Sequence, residues 1–83
     1  MLKIKDNIKL KDLKKFNFRK VTKEDGYADF AKYVCEFCSN EYICIYKSNE
    51  INIHTNGWKM KAQEMLFDLI EAELVEKVVE KWV

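Results

Sequence analysis

Proline is absent from this chain of 83 residues, and the only two glycines are Gly26 and Gly57. Few positions therefore interrupt helices or strands, and no linker, low-complexity segment or internal repeat divides the chain. A chain of this length can build one hydrophobic core. The sequence predicts a single domain covering residues 1–83.

Groups that commonly carry catalysis are also scarce. His54 is the one histidine, and neither a glycine-rich phosphate loop nor a Gly-x-Ser-x-Gly motif is present. These absences leave few ways to build an activated nucleophile or a phosphate cradle. We expect a protein that is not an enzyme and that uses no cofactor.

Long apolar runs are missing as well. No segment approaches the 18–20 apolar residues, roughly, that a membrane-spanning helix requires, and no N-terminal apolar stretch resembles a signal peptide. Three cysteines are an odd number and do not suggest a disulfide framework. We expect a cytoplasmic protein without membrane contact.

The residues that are present favour a folded α+β domain. With 48% hydrophobic and 35% charged residues, the composition lies outside the range of disordered chains. Apolar residues at helical spacing predict a first helix over 8–16, capped by Asp6 or Asn7. A strand over 18–21 and a turn over 23–26 follow.

Alternating and β-branched residues predict three further strands, over 27–38, 42–47 and 50–55. Loops of three residues at 39–41 and 48–50 would join them as antiparallel hairpins. In that register one face of the sheet forms the core, with Cys35, Phe37, Ile43, Ile45, Ile51 and Ile53.

A second, amphipathic helix is predicted over 59–72, after a turn at Asn56-Gly57. Its apolar stripe is Leu66, Phe67 and Ile70. Beyond residue 72 the apolar residues occur in pairs, and on a continued helix these pairs would face a different direction from the earlier stripe. The pairs are Leu74-Val75, Val78-Val79 and Trp82-Val83. Either the helix continues, or it ends there and 74–79 forms an edge strand, and the change of direction favours the second alternative.

The cysteines raise the question of a metal site. Cys38, Cys44 and His54 would share the face opposite the core, with Cys44 directly across from His54. Three ligands could then meet. The alternative, which we favour, is that the cysteines are small hydrophobic residues of the strands.

Charge and aromatic residues point to binding functions. Residues 1–23 carry nine Lys/Arg against two Asp, and residues 60–83 carry six acids against three Lys, which gives about +7 and −3. The simpler interpretation of this charge asymmetry, which we favour, is that the charges lie on solvated helix faces and that the two ends attract each other. A basic helix and strand could instead bind nucleic acid, through Lys9, Lys11, Lys14, Lys15, Arg19 and Lys20.

Aromatic rings beside Arg19, Lys20, Lys47 or Lys59 would suit a nucleotide or another anion. The candidate residues are Arg19, Lys20, Tyr46, Trp58 and Lys59. Core and interface packing is the alternative role for these rings. At the C-terminus, surplus apolar residues predict a homo-oligomer interface formed by Leu74, Val78, Val79 and Trp82.

Several segments resemble a known group of proteins. They are Ile4-Lys5-Asp6, the Leu-Lys-x-Leu-x-x-Phe segment at 10–16, Gly57-Trp58 and the run 61–78. These segments are similar in sequence to uncharacterised small proteins from phages and prophages of low-GC Gram-positive bacteria, which often carry Gly at the position of Glu73.

The resemblance implies a phage accessory protein and transfers no catalytic residue. With the surplus aromatic residues, it leads us to expect a protein that self-associates in the host cytoplasm and binds a host-derived partner. Interference with host defence, by sequestering a host protein or a nucleotide signal, is the function we expect. Nucleic-acid binding through the basic N-terminal region is the alternative.

Overall fold

A computed structural model describes residues 2–55 and 61–78. Two α-helices, a 3₁₀ turn and six strands follow one another in an α+β arrangement. In chain order they are β1 (Leu2–Ile4), α1 (Leu10–Leu13), the 3₁₀ turn (Lys14–Phe16), β2 (Arg19–Lys20), β3 (Ala31–Cys38), β4 (Glu41–Tyr46), β5 (Ile51–His54), α2 (Lys61–Glu71) and β6 (Val75–Lys77).

The strands form two antiparallel sheets, which confirms the predicted fold class. The larger sheet has the order β2-β3-β4-β5, and β1 pairs with β6 in the smaller one. A bridge between Lys3 and Glu50 connects β1 to the larger sheet. Lys3 also lies 3.3 Å from the Glu76 carboxylate, so the basic N-terminus and the acidic C-terminal segment attract each other within one chain.

The predicted core face is confirmed. Cys35, Ile43, Ile45 and Ile51 are buried, and Phe37 and Ile53 pack against them at the border of the cluster. Strand β1, the helices and the connections cover this face with further apolar side chains. The buried ones are Ile4, Leu13, Phe18, Ala62 and Leu69.

The orientation of α2 differs from the prediction. Ala62 and Leu69 are fully buried, whereas Phe67 is 57% exposed and Ile70 is 44% exposed. Met65 and Leu66 border the core, so the buried stripe has the 62, 65, 66, 69 spacing of a helix face. Leu66 was placed correctly, and the positions of Phe67 and Ile70 were wrong.

The end of α2 confirms the predicted break. Glu73 adopts a left-handed conformation with φ of 61°, its N–H donates to the Ile70 carbonyl, and the Leu74 N–H donates to the Leu69 carbonyl. This pair of bonds is a Schellman motif, which satisfies the last carbonyls and turns the chain out of the helix. Val75 then begins β6.

The first helix is shorter than predicted, and neither predicted cap begins it. Lys9 occupies the N-cap position, and its backbone N–H donates to the Asp12 carboxylate at 3.3 Å. Asp6 instead accepts a hydrogen bond from the Asn49 side chain. None of the described helices is long and apolar enough to cross a membrane.

The hairpin between β4 and β5 turns one residue earlier than predicted. The loop is 47–49, because the Tyr46 N–H donates to the Glu50 carbonyl at 2.8 Å and the Asn49 N–H donates back to Tyr46 at 2.9 Å. Asn49 has a φ of 74°. A three-residue loop that ends in a left-handed residue is a common hairpin connection, and asparagine tolerates that conformation.

Earlier turning changes the partners across the hairpin. Cys44 lies opposite Asn52, and His54 lies opposite Tyr42. The predicted pairing of Cys44 with His54 is therefore wrong by two positions. Because two is an even shift, every side chain keeps its predicted face.

The strand predicted from Tyr27 begins only at Ala31, because residues 27–30 form turns. Those turns cover the second face of the larger sheet and make a smaller core there. Ala31, Val34 and Cys44 are buried in it. The register shifts between Ala31 and Tyr33, which places Ala31 and Val34 on the same face although they are three residues apart.

Candidate anion-binding site

A pocket of about 210 Å³ opens where β2 ends and the turn segment 22–30 crosses the second face of the sheet. Three parts of the chain line it: the end of β2 with the residues after it, the start of β3, and the loop after β4. The lining residues are Lys20, Val21, Thr22, Lys23, Ala28, Ala31, Lys32 and Lys47.

Backbone hydrogen bonds bring these three parts together. The Val21 N–H donates to the Lys32 carbonyl at 2.9 Å, which continues the β2–β3 pairing by one residue. The Lys47 N–H donates to the Phe30 carbonyl at 3.2 Å, which ties the loop after β4 to the start of β3. Residues far apart in sequence therefore meet at one pocket.

Lysines dominate the charge of the pocket. Four of its eight lining residues are lysines, and none is acidic. Within the described residues, no salt bridge involves Lys20, Lys23, Lys32 or Lys47. Clustered charges of one sign raise the local concentration of the opposite ion, so the pocket is built to attract anions.

Lys32 is held in place by a neutral partner. Its ammonium donates a hydrogen bond to the Asn49 side-chain oxygen and lies 5.6 Å from the centre of the Tyr33 ring. Asn49 in turn donates to Asp6 at 3.0 Å. This chain of contacts positions Lys32, which has no ion pair among the described residues.

Arg19 organises the turn beside the pocket. Its guanidinium donates to both oxygens of Asp25 at 2.9 Å and to Glu36 at 2.6 Å. Asp25 also accepts the Thr22 N–H at 2.7 Å and the Thr22 hydroxyl at 3.0 Å. The hydrogen bonds from Arg19 and from Thr22 hold the pKa of Asp25 well below its ordinary value.

These bonds fix the backbone between Lys20 and Lys23, both of which line the pocket. The same carboxylates raise the pKa of Arg19, with Asp25 as the larger influence. Arg19 is therefore occupied by two carboxylates, and it does not line the pocket. Glu24 and Asp29, the other acids of this turn, are exposed and do not line the pocket.

Aromatic rings surround the second core next to the pocket. Tyr27 meets Tyr42 at 5.0 Å between ring centres and Phe30 at 6.2 Å, and Phe30 meets Tyr46 at 5.9 Å. All three contacts are edge to face, the geometry that aromatic pairs prefer. Tyr46, a predicted ligand residue, is half-buried and packs against the second core.

Comparison with known proteins adds no relatives. No family model, curated protein or solved structure matches this chain.

Of the residues predicted for anion binding, Lys20 lines the pocket. Trp58 and Lys59 lie outside the described residues. Sequence reasoning missed Lys23 and Lys32, because their approach to Lys20 depends on the β2–β3 pairing and on the bulge in β3. The spacing of lysines along the chain carries no signal of that approach.

The three predicted metal ligands do not come together. Cys44 is fully buried, and Cys38 pairs with Glu41 beside the turn that joins β3 to β4. His54 stacks on Tyr42 with 4.7 Å between ring centres. In the ranges 2–55 and 61–78, no group of three or more His, Cys, Asp or Glu residues is placed to hold a metal ion.

The predicted oligomer interface is described only in part. Leu74 is half-buried and packs against the main core of its own chain, and Val78 is half-buried. Val79 and Trp82 lie outside the described residues. The interface stays a prediction.

Proposed function

We propose that this protein binds a phosphorylated ligand in the lysine pocket and performs no chemistry on it. In the phage setting that the sequence resembles, the ligand would be host-derived, and the protein would act by sequestering it to interfere with host defence. One observation carries the proposal: four lysines from three separate chain segments line one pocket that contains no acidic side chain.

The composition of the pocket suits a phosphorylated molecule better than a bare inorganic ion. Lysine ammonium groups bind phosphate oxygens as point charges. Val21, Ala28 and Ala31 add an apolar part of the lining, and a small organic group can pack there. Ligand pockets commonly combine an apolar lining with a few polar groups that set orientation.

Binding without catalysis is supported by the surroundings of the nucleophilic side chains. Burial raises the pKa of the Cys44 thiol to about 11 and also raises the pKa of Cys35. Thiols in such surroundings are poor nucleophiles. Neither cysteine lines the pocket.

Isothermal titration calorimetry with tripolyphosphate tests the proposal. The double variant Lys23→Gln/Lys47→Gln should bind at least about tenfold more weakly than the parent, because each removes a charge-assisted contact. The matched control is Lys11→Gln/Lys14→Gln, which removes the same charge from exposed positions outside the pocket. Equal weakening by both pairs, or no binding by the parent, would refute the pocket as the site.

Nucleic-acid binding is the second candidate, and one observation favours it. Lys9, Lys11, Lys14 and Lys15 are all exposed, and none forms a salt bridge with the described residues. If the protein contacts six or more phosphates, raising the salt concentration from about 50 to about 200 mM should weaken binding by orders of magnitude. Electrophoretic shifts of duplex and single strands at both salt concentrations, repeated with Lys11→Gln/Lys14→Gln, distinguish this candidate from the pocket.

Self-association, and capture of a host protein in place of a small ligand, remain part of the wider proposal. The outer edge of β6 is unpaired within the described residues, which would allow a second copy to add there. Light scattering on the parent and on Val79→Glu/Trp82→Glu measures the oligomer. A parent that is a monomer, or a variant that keeps the parent's oligomeric mass, would remove the C-terminal interface.

A further inference from the structure

Phe30 is an unusually exposed aromatic residue next to the lysine pocket. Its side chain is 42% exposed. Its carbonyl accepts the Lys47 N–H, and the next residue, Ala31, lines the pocket. The backbone of Phe30 therefore borders the lysine pocket, although Phe30 is not one of its lining residues, and its ring is partly in solvent.

Two aromatic neighbours contact this ring and restrict its movement. Tyr27 and Tyr46 both contact it edge to face, with interplanar angles of 81° and 82°. Both tyrosines belong to the second core, which anchors them. A ring whose movement is already restricted loses little conformational entropy when a ligand packs on it, so this arrangement is preorganised for binding.

We infer that the lysine pocket with Phe30 forms a nucleotide site, in which the lysines bind the phosphates and the base stacks on the Phe30 ring. The inference rests on the proposed function and names the ligand class of the same site. Every base has a flat π surface, and stacking on an aromatic side chain strengthens binding without requiring hydrogen bonds to the base. Inorganic polyphosphate has no group that could stack on the ring.

Calorimetric titrations with ATP and tripolyphosphate, at equal ionic strength, separate the two contributions. ATP should bind at least about tenfold more tightly than tripolyphosphate, because one stacked base is expected to add that much affinity. Phe30→Leu should remove that advantage and leave tripolyphosphate binding unchanged. Phe30→Tyr, which restores the aromatic ring, should recover it.

Phe67→Leu is the matched control, because Phe67 is also exposed but lies on α2 away from the pocket lining. It should change neither affinity. Far-ultraviolet circular dichroism and a urea midpoint confirm that each variant folds.

The possible failures are distinguishable. Binding of tripolyphosphate with no advantage for ATP, or an advantage that survives Phe30→Leu, overturns the nucleotide inference and leaves the phosphate proposal standing. Binding of neither ligand overturns both.

Discussion

The guanidinium of Arg19 donates a hydrogen bond to each carboxylate oxygen of Asp25, both at 2.9 Å. This bidentate pair joins β2 to the turn that follows it, and Asp25 closes the turn by accepting two hydrogen bonds from Thr22. A basic residue that the sequence suggested for ligand binding therefore shapes the wall of the site. The lysines on either side of Thr22 remain for the ligand.

Asp25→Asn should lower the stability of the protein at neutral pH. It should also make the stability less dependent on pH in the acidic range. The hydrogen bonds from Arg19 and Thr22 depress the pKa of Asp25 below its ordinary 3.8. A depressed pKa gives stability that is present above pH 3.8 and is lost as the pH falls below it. Urea unfolding at a series of pH values from neutral to strongly acidic measures this loss.

Asp29→Asn is the control for that series, because Asp29 is an exposed acid of the same turn. It should leave the pH dependence close to the parent's. If the Asp25 and Asp29 variants behave alike, the pair with Arg19 does not stabilise the fold.

Glu73→Gly should stabilise the protein. Glu73 has a φ of 61°, and left-handed backbone costs a residue with a side chain about 1–2 kcal/mol. Part of that gain is offset because glycine is freer in the unfolded chain, which leaves about 0.5–1 kcal/mol. Urea denaturation checks the value.

Glu71→Gly provides the comparison, because Glu71 is the last residue of α2. Glycine there should lower the free energy of unfolding by about 1 kcal/mol. Opposite signs for two glutamates only two residues apart would identify where the helix ends, and equal destabilisation by both changes would contradict the Schellman geometry.

The orientation of α2 gives a contrast between two apolar residues. Leu69 is fully buried and Phe67 is 57% exposed. Leu69→Ala should cost about 2–5 kcal/mol through lost burial and a cavity, whereas Phe67→Ala should change stability by less than about 1 kcal/mol. The reverse order in chemical denaturation would support the originally predicted stripe.

Thiol reactivity should separate the three cysteines. Cys38 is exposed, and Cys35 and Cys44 are buried. Burial raises the pKa of Cys44 to about 11, so little thiolate forms at neutral pH. A chromogenic disulfide reagent should therefore modify one thiol per native chain quickly, and all three after unfolding. Native Cys38→Ser protein should not react quickly, and a second fast thiol would contradict the buried positions.

The even displacement of the β4–β5 pairing explains why the core was predictable and one proposed site was not. Alternation determines which face a strand residue occupies, so Ile43 and Ile45 were assigned correctly. Direct cross-strand neighbours depend on where the loop lies, and the three-residue loop that ends at the left-handed Asn49 lies one residue earlier than predicted. The contact between Cys44 and His54 was lost for that reason.

The α2 stripe was misassigned for a different reason. Leu66, Phe67, Leu69 and Ile70 are all apolar, so two overlapping stripes satisfy helical spacing. Ala62, a small residue that is fully buried against the sheet, decides between them. Packing against the rest of the fold selected the face, and the local pattern did not contain that information.

The pocket was the least predictable feature. Lys20 was named from its place in a basic segment, but its neighbours Lys23, Lys32 and Lys47 reach it through hydrogen bonds between separate strands and loops. The bulge at the start of β3 has no distinctive residue, such as glycine, to mark it. Convergence of this kind depends on tertiary structure.

Backbone amide chemical shifts, followed by NMR while tripolyphosphate is added, test most directly whether the lysine pocket is the binding site. The largest changes should fall on residues 20–23, 28–32 and 47, and Lys23→Gln/Lys47→Gln should reduce them at equal ligand concentration. Changes confined to residues 9–16, or spread evenly over all exposed lysines, would contradict a built pocket and show that phosphate is attracted only by the charge of the N-terminal region.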